Sequence, residues 1–185
     1  MKYAARSHPI HFVGIGGVGM RAIAEVLINL GFTVSGSDCI DSKGLRQLEA
    51  MGARVFVGHR ACQIGRVDVV VRSSAISKDN VEILAARQQG VPVIDRAEML
   101  AELMRFKQGI AIAGSHGKST TTMMLASILV HAGCDPTYIV GGCIQGGQHN
   151  SLLGQGDYLV AEADESDGSF LCLRPMASVI TNIDA

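Results

Sequence analysis

The chain contains two glycine-rich turns, each lying between a short apolar run and a segment with helical periodicity. The first turn begins at Gly14 and the second at Gly114, 100 residues further along the chain. Short apolar runs that alternate with helical segments are typical of a parallel α/β sheet. In such sheets a glycine turn between strand and helix is a common place for phosphate to bind. Each turn opens its own series of strands, so the sequence predicts two such domains.

The predicted elements place the domain boundary near residue 106. In the first series we predict strands at 10–13, 32–35, 54–57, 67–71 and 92–94, and helices at 18–30, 42–51, 80–89 and 96–106. In the second we predict strands at 109–113, 138–140, 158–161 and 177–180, a helix at 118–131 and a loop at 143–156. The fold class is therefore α/β: a Rossmann-like parallel-sheet domain at 1–106, then the start of a P-loop α/β domain at 107–185. Since the chain stops directly after a strand, we expect the second domain to be incomplete.

Composition and charge argue against several kinds of partner. The 16 Lys and Arg residues nearly balance the 17 Asp and Glu residues, and the net charge is −1. Nucleic acids and anionic membranes usually need a clustered basic surface, so we expect neither as a partner. We find no apolar run of the length needed for a membrane span or a secretory signal. The five cysteines form no CxxC pair. We therefore expect a soluble cytoplasmic protein with reduced thiols.

The first turn, HFVGIGGVGM, has the pattern Gly14-x-Gly16-x-x-Gly19 between a predicted strand and helix. Glycine is needed because the loop turns tightly while its backbone approaches a diphosphate, and amides at the helix N-terminus then face the negative charge. Asp38 ends the second strand, 24 residues after Gly14, where a Rossmann fold carries a carboxylate for a ribose or base. This context favours a phosphate ligand over an empty tight turn. It does not separate NAD from a UDP-sugar.

Polar residues follow two further strands at the same predicted edge of the sheet. His59 follows the third strand, and Ser73 and Ser74 follow the fourth. Loops at the carboxyl ends of parallel strands form the ligand crevice of open α/β sheets, so these side chains are candidates for phosphate or ribose contacts. The alternatives are turn or helix-capping hydrogen bonds for the serines and a surface position for His59.

The second turn, AIAGSHGKSTTT, contains the parts of a phosphate-binding loop, although it is shorter than the standard GxxxxGK[ST] pattern. Gly114 and Gly117 free backbone amides for phosphate groups. Lys118 supplies an ammonium group for the β and γ phosphates, and Ser119 supplies a hydroxyl for Mg²⁺. The sequence therefore predicts a nucleoside triphosphate with Mg²⁺ at this turn. His116, inside the turn, either contacts phosphate or packs against the protein.

An acidic run follows the predicted strand at 158–161. Glu162, Asp164, Glu165 and Asp167 lie within six residues, where four carboxylates repel one another unless a cation or solvent screens them. Mg²⁺ takes only one or two protein carboxylates together with phosphate oxygens and water. Glu162 continues the strand and is the candidate ligand, whereas a solvated turn explains the other three equally well.

Read together, the motifs resemble the Mur ligase family. The similar stretches are HFVGIGGVGM, VSGSD, SSAIS, RAEMLAELMRF, AGSHGKSTTT and EADESD, in that order between residues 11 and 170. Within the family, EADESD is similar to the L-alanine-adding branch, whereas the murein-peptide ligases tend to have tyrosine where Ser166 stands. Arg21 and Ser115 depart from the glycine and threonine that the family often has there.

The resemblance implies an ATP-dependent ligase of peptidoglycan precursor synthesis with three domains. Such an enzyme joins L-alanine to the lactyl carboxylate of UDP-N-acetylmuramate through an acyl phosphate, with ATP and Mg²⁺. The implied substrate-binding residues are Gly14, Ile15, Gly16, Gly17, Val18, Gly19, Ser37, Asp38, His59, Ser73 and Ser74. The implied ATP-binding residues are Gly114, Ser115, His116, Gly117, Lys118, Ser119 and Thr120. Ser119 and Glu162 are implied metal ligands, and Lys118 and Glu162 are implied catalytic residues.

Three other functions fit part of the sequence. A murein-peptide ligase of the same family would carry nearly the same motifs. An NAD-dependent dehydrogenase would explain Gly14, Gly19 and Asp38, but it leaves Lys118 and Glu162 without a role. A non-catalytic nucleotide-binding module would keep both turns. For the leading function we expect these 185 residues to bind nucleotides with little or no ligation.

Overall fold

The computed structural model describes residues 9–140, 151–163 and 169–183. The chain forms two compact units, Met1–Arg96 and Ala97–Ala185. The sequence analysis placed the boundary after residue 106; this division falls ten residues earlier and assigns nearly all of the intervening helix to the second unit. Within the described ranges, we find no helix with both the length and the hydropathy needed to cross a bilayer.

The first unit contains one parallel sheet with helices between its strands. Its elements are β1 (Ile10–Val13), α1 (Val18–Asn29), β2 (Val34–Asp38), α2 (Lys43–Ala50), β3 (Arg54–Val57), β4 (Val69–Arg72), α3 (Val81–Gln88) and β5 (Val93–Asp95), with a short 3-10 turn at Ala61–Gln63. The strand order is β3-β2-β1-β4-β5, and every pair is parallel. The order reverses beside β1, and in open α/β sheets ligands bind at such a switch point, outside the carboxyl ends of the strands.

The second unit contains a mixed sheet. Its elements are α4 (Arg96–Arg105), β6 (Gln108–Ala113), α5 (Lys118–His131), β7 (Thr137–Ile139), β8 (Ser151–Leu152), β9 (Tyr158–Glu162), a 3-10 turn at Ser169–Cys172 and β10 (Ala177–Ile180). The strand order is β10-β6-β9-β7-β8, and β8 runs antiparallel to β7. The loop or short turns predicted at 143–156 are wrong at Ser151–Leu152, which form β8. A two-residue strand is too short to show a periodicity.

The second strand lies further along the chain than its predicted range of 32–35. The amide of Phe32 donates to the carbonyl of Leu27 at 3.0 Å, so residue 32 still belongs to the C-terminal cap of α1. The sheet instead continues through Gly36 and Ser37 to Asp38, which pairs with Val57 of β3. A strand whose last residues are polar is predicted too short when strands are identified by runs of apolar residues. The position of these polar residues at the sheet edge suits ligand binding.

A buried glycine of β2 generates a test of this packing. A Cβ atom on Gly36 would lie 2.6 Å from the Ile15 side chain and 2.8 Å from the Phe12 carbonyl oxygen. We expect Gly36→Ala to lower the free energy of unfolding by about 2 kcal/mol through overpacking, measured by urea denaturation. Gly65→Ala is the matched control, because no atom lies within 4 Å of its added methyl group. Equal unfolding midpoints for the two variants would contradict this packing.

Candidate functional site

The first glycine turn is fixed by the end of β2. Gly14 has a φ of +83°, which favours glycine, and its amide donates to the carbonyl of Ser37 at 2.8 Å. The amide of Ile15 donates to the same oxygen at 3.0 Å. A Cβ on Gly14 would approach Ser73 and Ile76 to 3.0 Å. The turn therefore packs against the end of β2 and the loop after β4, at the sheet edge where ligands bind in open α/β folds.

Asp38 lies beside the turn and hydrogen-bonds to it. Its Oδ2 accepts from the amide of Gly16 at 2.9 Å, and its Oδ1 accepts from the amide of Ile40 at 3.1 Å. A Cβ on Gly16 would lie 2.9 Å from the same Oδ2. Asp38 is thus where the sequence predicted it, and it also holds the glycine turn in shape.

Two sources of positive charge lie at the start of α1, the helix N-terminus and the Arg96 guanidinium. Gly17 is the N-cap and provides no side-chain cap, and no acidic residue occupies the first turn. A Cβ on Gly19 would lie 2.9 Å from Nη1 of Arg96, so the guanidinium group lies against the first turn of the helix. Helix amide groups and a guanidinium at one place suit an anionic ligand. Arg96 was missed by the sequence analysis, since nothing in its local sequence indicates a partner 77 residues earlier.

Ser73 and Ser74 lie in a turn that Arg72 holds. The amide of Ala75 donates to Oγ of Ser73 at 3.4 Å, and Ser74 is exposed. Nη1 of Arg72 donates to the carbonyl of Ile76 at 2.8 Å, and its Nη2 contacts Oδ1 of Asp95 at 2.6 Å. Ser73 therefore makes the turn hydrogen bond that the sequence left as an alternative, and Ser74 remains accessible at the edge.

A buried polar cluster lies beneath the same edge. Glu82, in the first turn of α3, is fully buried, as are Ser37 and His11. Its Oε2 accepts from the Ser37 hydroxyl at 2.5 Å and lies 2.8 Å from Nδ1 of His59. Its Oε1 lies 3.4 Å from Nε2 of His11, whose Nδ1 contacts Oγ of Ser35 at 2.9 Å. The cluster joins β1, β2, the loop after β3 and α3.

The environment of Glu82 keeps its carboxylate ionised. Burial acts to raise its pKa, but hydrogen bonds from His11, Ser37 and His59 outweigh burial, and the pKa falls below its ordinary value. A buried carboxylate needs such partners, because an unpaired one would cost several kcal/mol. No local sequence pattern indicates a role for Glu82, because its partners lie between 23 and 71 residues away.

In the second glycine turn, the Lys118 side chain folds back onto carbonyl groups of the turn. Gly114 has a φ of +127°, and Gly117, at +80°, is the N-cap of α5. Nζ of Lys118 donates to the carbonyl of Gly114 at 2.5 Å and contacts that of Ser115 at 3.4 Å. Ser119 is half-buried in the first helical turn, whereas His116 and Thr120 are exposed. The ammonium group and the helix amides therefore meet at this turn, as the sequence predicted.

Two residues after β10 hold this turn from the neighbouring strand. Oγ1 of Thr181 donates to the carbonyl of His116 at 2.6 Å, and the amide of His116 donates to Oδ1 of Asn182 at 3.0 Å. A Cβ on Gly114 would overlap Oγ1 of Thr181. No role was predicted for Thr181 or Asn182; the available signal was a polar pair directly after the predicted strand at 177–180, which the structure shows as the exposed strand β10, at the same edge as Gly114.

Glu162 ends β9, the strand beside β6. It pairs in register with Ile112, two residues before Gly114. Ile112 packs in one cluster with Leu125 and Leu129 of α5, and in-register residues of parallel strands share a face of the sheet. Glu162 therefore lies on the face of the sheet that α5 covers, and Lys118 is the first residue of α5. Asp164, Glu165, Ser166 and Asp167 lie outside the described residues.

The donor set at this edge suits Mg²⁺. Among the described ranges there is no group of three or more His, Cys, Asp or Glu side chains that is able to hold a metal ion. Mg²⁺ does not need one, because it keeps several waters and takes phosphate oxygens with one or two carboxylates. The hydroxyl of Ser119 and the carboxylate of Glu162 are oxygen donors of the right kind.

The geometry defines a class of protein. Two α/β units each carry a glycine turn at the carboxyl end of a parallel strand, and one turn has lysine and serine at its helix start; this arrangement is typical of nucleotide-binding α/β proteins. Residues 9–108 match the Mur ligase family, catalytic domain. The chain belongs to the Mur ligase family.

Individual relatives agree with this assignment. The UDP-N-acetylmuramate–L-alanine ligase of Methylobacillus flagellatus is 60% identical over 95% of the chain, and the match covers 37% of that protein. The crystal structure of UDP-N-acetylmuramate–alanine ligase MurC from Thermotoga maritima matches 96% of the chain with a TM-score of 0.86 and 36% identity, over 42% of that protein. The crystal structure of UDP-N-acetylmuramate:L-alanyl-γ-D-glutamyl-meso-diaminopimelate ligase (MPL) from Neisseria meningitides matches 96% of the chain with a TM-score of 0.86 and 30% identity, over 61% of that chain. The chain therefore spans well under half of the length of the first two relatives.

The lowered pKa of Glu82 predicts acid sensitivity of the first unit. A group whose folded-state pKa is depressed contributes stability above its unfolded-state pKa and loses it as the pH falls through the folded-state pKa. We expect the free energy of unfolding to fall below about pH 4.5 in the wild type, and less steeply in Glu82→Gln, measured by urea denaturation across pH 3–7. Glu49→Gln, at an exposed position on α2, is the control. Parallel pH profiles for wild type and Glu82→Gln would disprove the effect.

Proposed function

We propose that this chain supplies the nucleotide-binding parts of an ATP-dependent ligase that joins L-alanine to the lactyl carboxylate of UDP-N-acetylmuramate in peptidoglycan precursor synthesis. The observation that carries the proposal is the pair of glycine turns, each held at the carboxyl edge of its own sheet, with Lys118 on the second. The name of the 60% identical relative supports the choice of substrates. Because the chain spans 37% of that relative, the ligase activity is proposed for the whole protein.

In this proposal the first unit binds the UDP moiety. The amides of the turn from Gly14 to Gly19 and the start of α1 face the diphosphate, with the Arg96 guanidinium beside them. The uridine lies toward the ends of the neighbouring strands, near Asp38 and Ser74. Asp38 also keeps the turn in shape through Gly16, so its loss would affect both the turn and the ligand.

The second unit would bind ATP at the turn from Gly114 to Thr120. Lys118 exchanges its two carbonyl contacts for the β and γ phosphates, which offer full negative charges in place of dipoles. Ser119 and Glu162 would hold Mg²⁺, which when bound neutralises charge on the transferred phosphoryl group. Thr181 and Asn182 keep the loop backbone in position for these contacts.

The proposed reaction has two steps. A lactyl carboxylate oxygen attacks the γ-phosphorus of ATP, and ADP leaves to give an acyl phosphate. The amine nitrogen of L-alanine then attacks the acyl carbon, inorganic phosphate leaves, and the nitrogen loses a proton to give the amide. The first step brings two anions together, and the positive charge of Lys118 lowers that electrostatic cost.

Two other functions have less support. The MPL structure from Neisseria meningitides and the MurC structure from Thermotoga maritima match this chain with the same TM-score of 0.86. The MPL chain is 30% identical to this chain, whereas the L-alanine ligase of Methylobacillus flagellatus is 60% identical. A dehydrogenase would use the first turn alone and leaves the Lys118 turn unexplained.

Titration calorimetry tests the substrate assignment directly. We expect the 185-residue chain to bind UDP-N-acetylmuramate, because the amide groups and Arg96 at the first turn complement a diphosphate. Nicotinamide fluorescence on addition of NADH should stay unchanged. Enhanced NADH fluorescence together with no heat from UDP-N-acetylmuramate would favour the dehydrogenase and overturn the proposal.

Replacement of the turn lysine tests ATP binding. We expect Lys118→Ala to weaken ATP binding to the chain by about tenfold or more, because a charge-assisted contact to phosphate is lost, while UDP-N-acetylmuramate binding stays the same. Lys78→Ala, at an exposed site on the first unit, is the control and should change neither. Unchanged ATP affinity in Lys118→Ala would remove the lysine from the proposed mechanism.

A further inference from the structure

Both backbone polar groups of His116, in the second glycine turn, are held by one side chain. Oδ1 of Asn182 accepts from the amide of His116 at 3.0 Å, and Nδ2 of Asn182 donates to the carbonyl of the same residue at 3.3 Å. A backbone N–H only donates and a carbonyl only accepts, so these two partners fix the orientation of the carboxamide. Asn182 therefore contacts His116 as a neighbouring strand would, through an N–H and a C=O on the same side.

A second donor holds the same carbonyl. Oγ1 of Thr181 lies 2.6 Å from the carbonyl oxygen of His116 and 3.2 Å from that of Ala113. A hydroxyl has one proton, so it donates along the shorter contact. The backbone of Thr181 is fixed by the sheet, because its amide donates to the carbonyl of Ala113 at 3.0 Å. The carbonyl of His116 therefore points toward the end of β10.

The contacts of Lys118 show that the preceding carbonyls point the other way. Its Nζ donates to the carbonyl of Gly114 at 2.5 Å and contacts that of Ser115 at 3.4 Å. In a planar trans peptide the C=O and the N–H point in opposite directions. The peptide between Ser115 and His116 accordingly turns its carbonyl to Lys118 and its N–H to Asn182. The turn thus has a lysine side, which faces Nζ of Lys118, and a β10 side, which faces Asn182.

The direction of the backbone inverts at the next peptide group. Its carbonyl, that of His116, faces the β10 side, so its N–H, the amide of Gly117, faces the lysine side. Gly117 is exposed, and a ligand therefore has access to this residue. The amide of His116 is already bonded to Asn182. The turn therefore does not offer all of its amides to an anion.

The two side chains oppose one particular rearrangement. Gly117 has a φ of +80°, and a glycine adopts φ of either sign, so the peptide before it is able to rotate. A half-turn of this peptide would direct the carbonyl of His116, in place of the amide of Gly117, toward an anion on the lysine side. The partial negative charge of that oxygen would repel a phosphate. Asn182 and Thr181 both bind this carbonyl and so keep the amide on the ligand side.

We propose that Asn182, together with Thr181, is a positioning residue that chooses which backbone amide meets the nucleotide. It withdraws the amide of His116 from the ligand and directs the amide of Gly117 to a phosphate oxygen. The inference rests on the proposed binding of ATP at the second turn. The amides of Lys118 and Ser119, which have no intrahelical acceptor at the start of α5, continue the same anion-binding row.

NMR couplings through hydrogen bonds identify the amide directly. In the complex of the 185-residue chain with ATP and Mg²⁺, we expect a coupling between a phosphate phosphorus and the amide nitrogen of Gly117. The amide nitrogen of His116 should couple to the side-chain Cγ of Asn182, both with and without ATP. A phosphorus coupling at His116, or none at Gly117, would overturn the inference.

Titration calorimetry with ATP measures the effect of the two side chains. We expect Asn182→Ala to weaken ATP binding about tenfold, because the released peptide is free to turn its carbonyl toward the phosphate. Thr181→Val, which lacks only the hydroxyl donor, should also weaken it, whereas Thr181→Ser keeps Oγ and should restore wild-type affinity. Ser178→Ala, at an exposed position on β10, is the control and should bind ATP as the wild type does.

A purely structural role would give a different pattern. If Asn182 only stabilised the fold, its loss would lower the unfolding midpoint and leave the ATP affinity of the folded chain unchanged. We expect weaker ATP binding in variants that still unfold cooperatively, with unchanged affinity for UDP-N-acetylmuramate at the first turn. If Asn182→Ala does not fold, the comparison of Thr181→Val with Thr181→Ser and the wild-type couplings decide the question.

The failures are distinguishable. Absence of ATP binding by the wild type overturns the proposed function at the second turn, and this inference with it. Equal ATP affinities of the wild type, Asn182→Ala and Thr181→Val overturn the inference and leave the proposed function intact.

Discussion

Hydrogen bonds from several elements converge on the last two residues of β2. The Ser37 carbonyl accepts from the amides of Gly14 and Ile15, and the Asp38 carbonyl accepts from Gly58. Their side chains bind Glu82 and the amide of Gly16. The glycine turn, the loop after β3 and the first turn of α3 are thus positioned by one strand end. Because a parallel sheet brings its carboxyl ends to one edge, a single strand end can position several of the groups there.

The second unit uses the same physical device with different residues. Its glycine turn follows β6, and the residues that hold it, Thr181 and Asn182, follow the adjacent strand β10. In both units the turn itself supplies backbone amides, and a side chain from a neighbouring strand end keeps those amides in place. Glycine is required where these side chains approach, as at Gly16 beside Asp38 and at Gly114 beside Thr181.

The sequence predicted those parts of the fold that depend on local pattern. The bounds of β1, β3, α5 and β10 agree with the predictions, because apolar runs or a glycine turn mark their ends. The predicted range of β2 stopped at residue 35, although Asp38 was placed at the strand end, because Gly36, Ser37 and Asp38 are not apolar. The strand β8 was missed because two residues show no periodicity. The glycine turns, Asp38 and Lys118 were visible because their chemistry is contained in short motifs. Glu82 and Arg96 were not, since each acts on residues far away in sequence.

The two turns differ in charge, and under the proposed function the difference follows from what each phosphate does. The diphosphate of a UDP-sugar does not react, so backbone amides and a guanidinium at its side are sufficient to hold it. The γ-phosphate of ATP is attacked by a carboxylate, and repulsion between the two anions grows as they approach. A lysine at that turn, with oxygen donors for a divalent cation on the adjacent strand, lowers the energy of this approach.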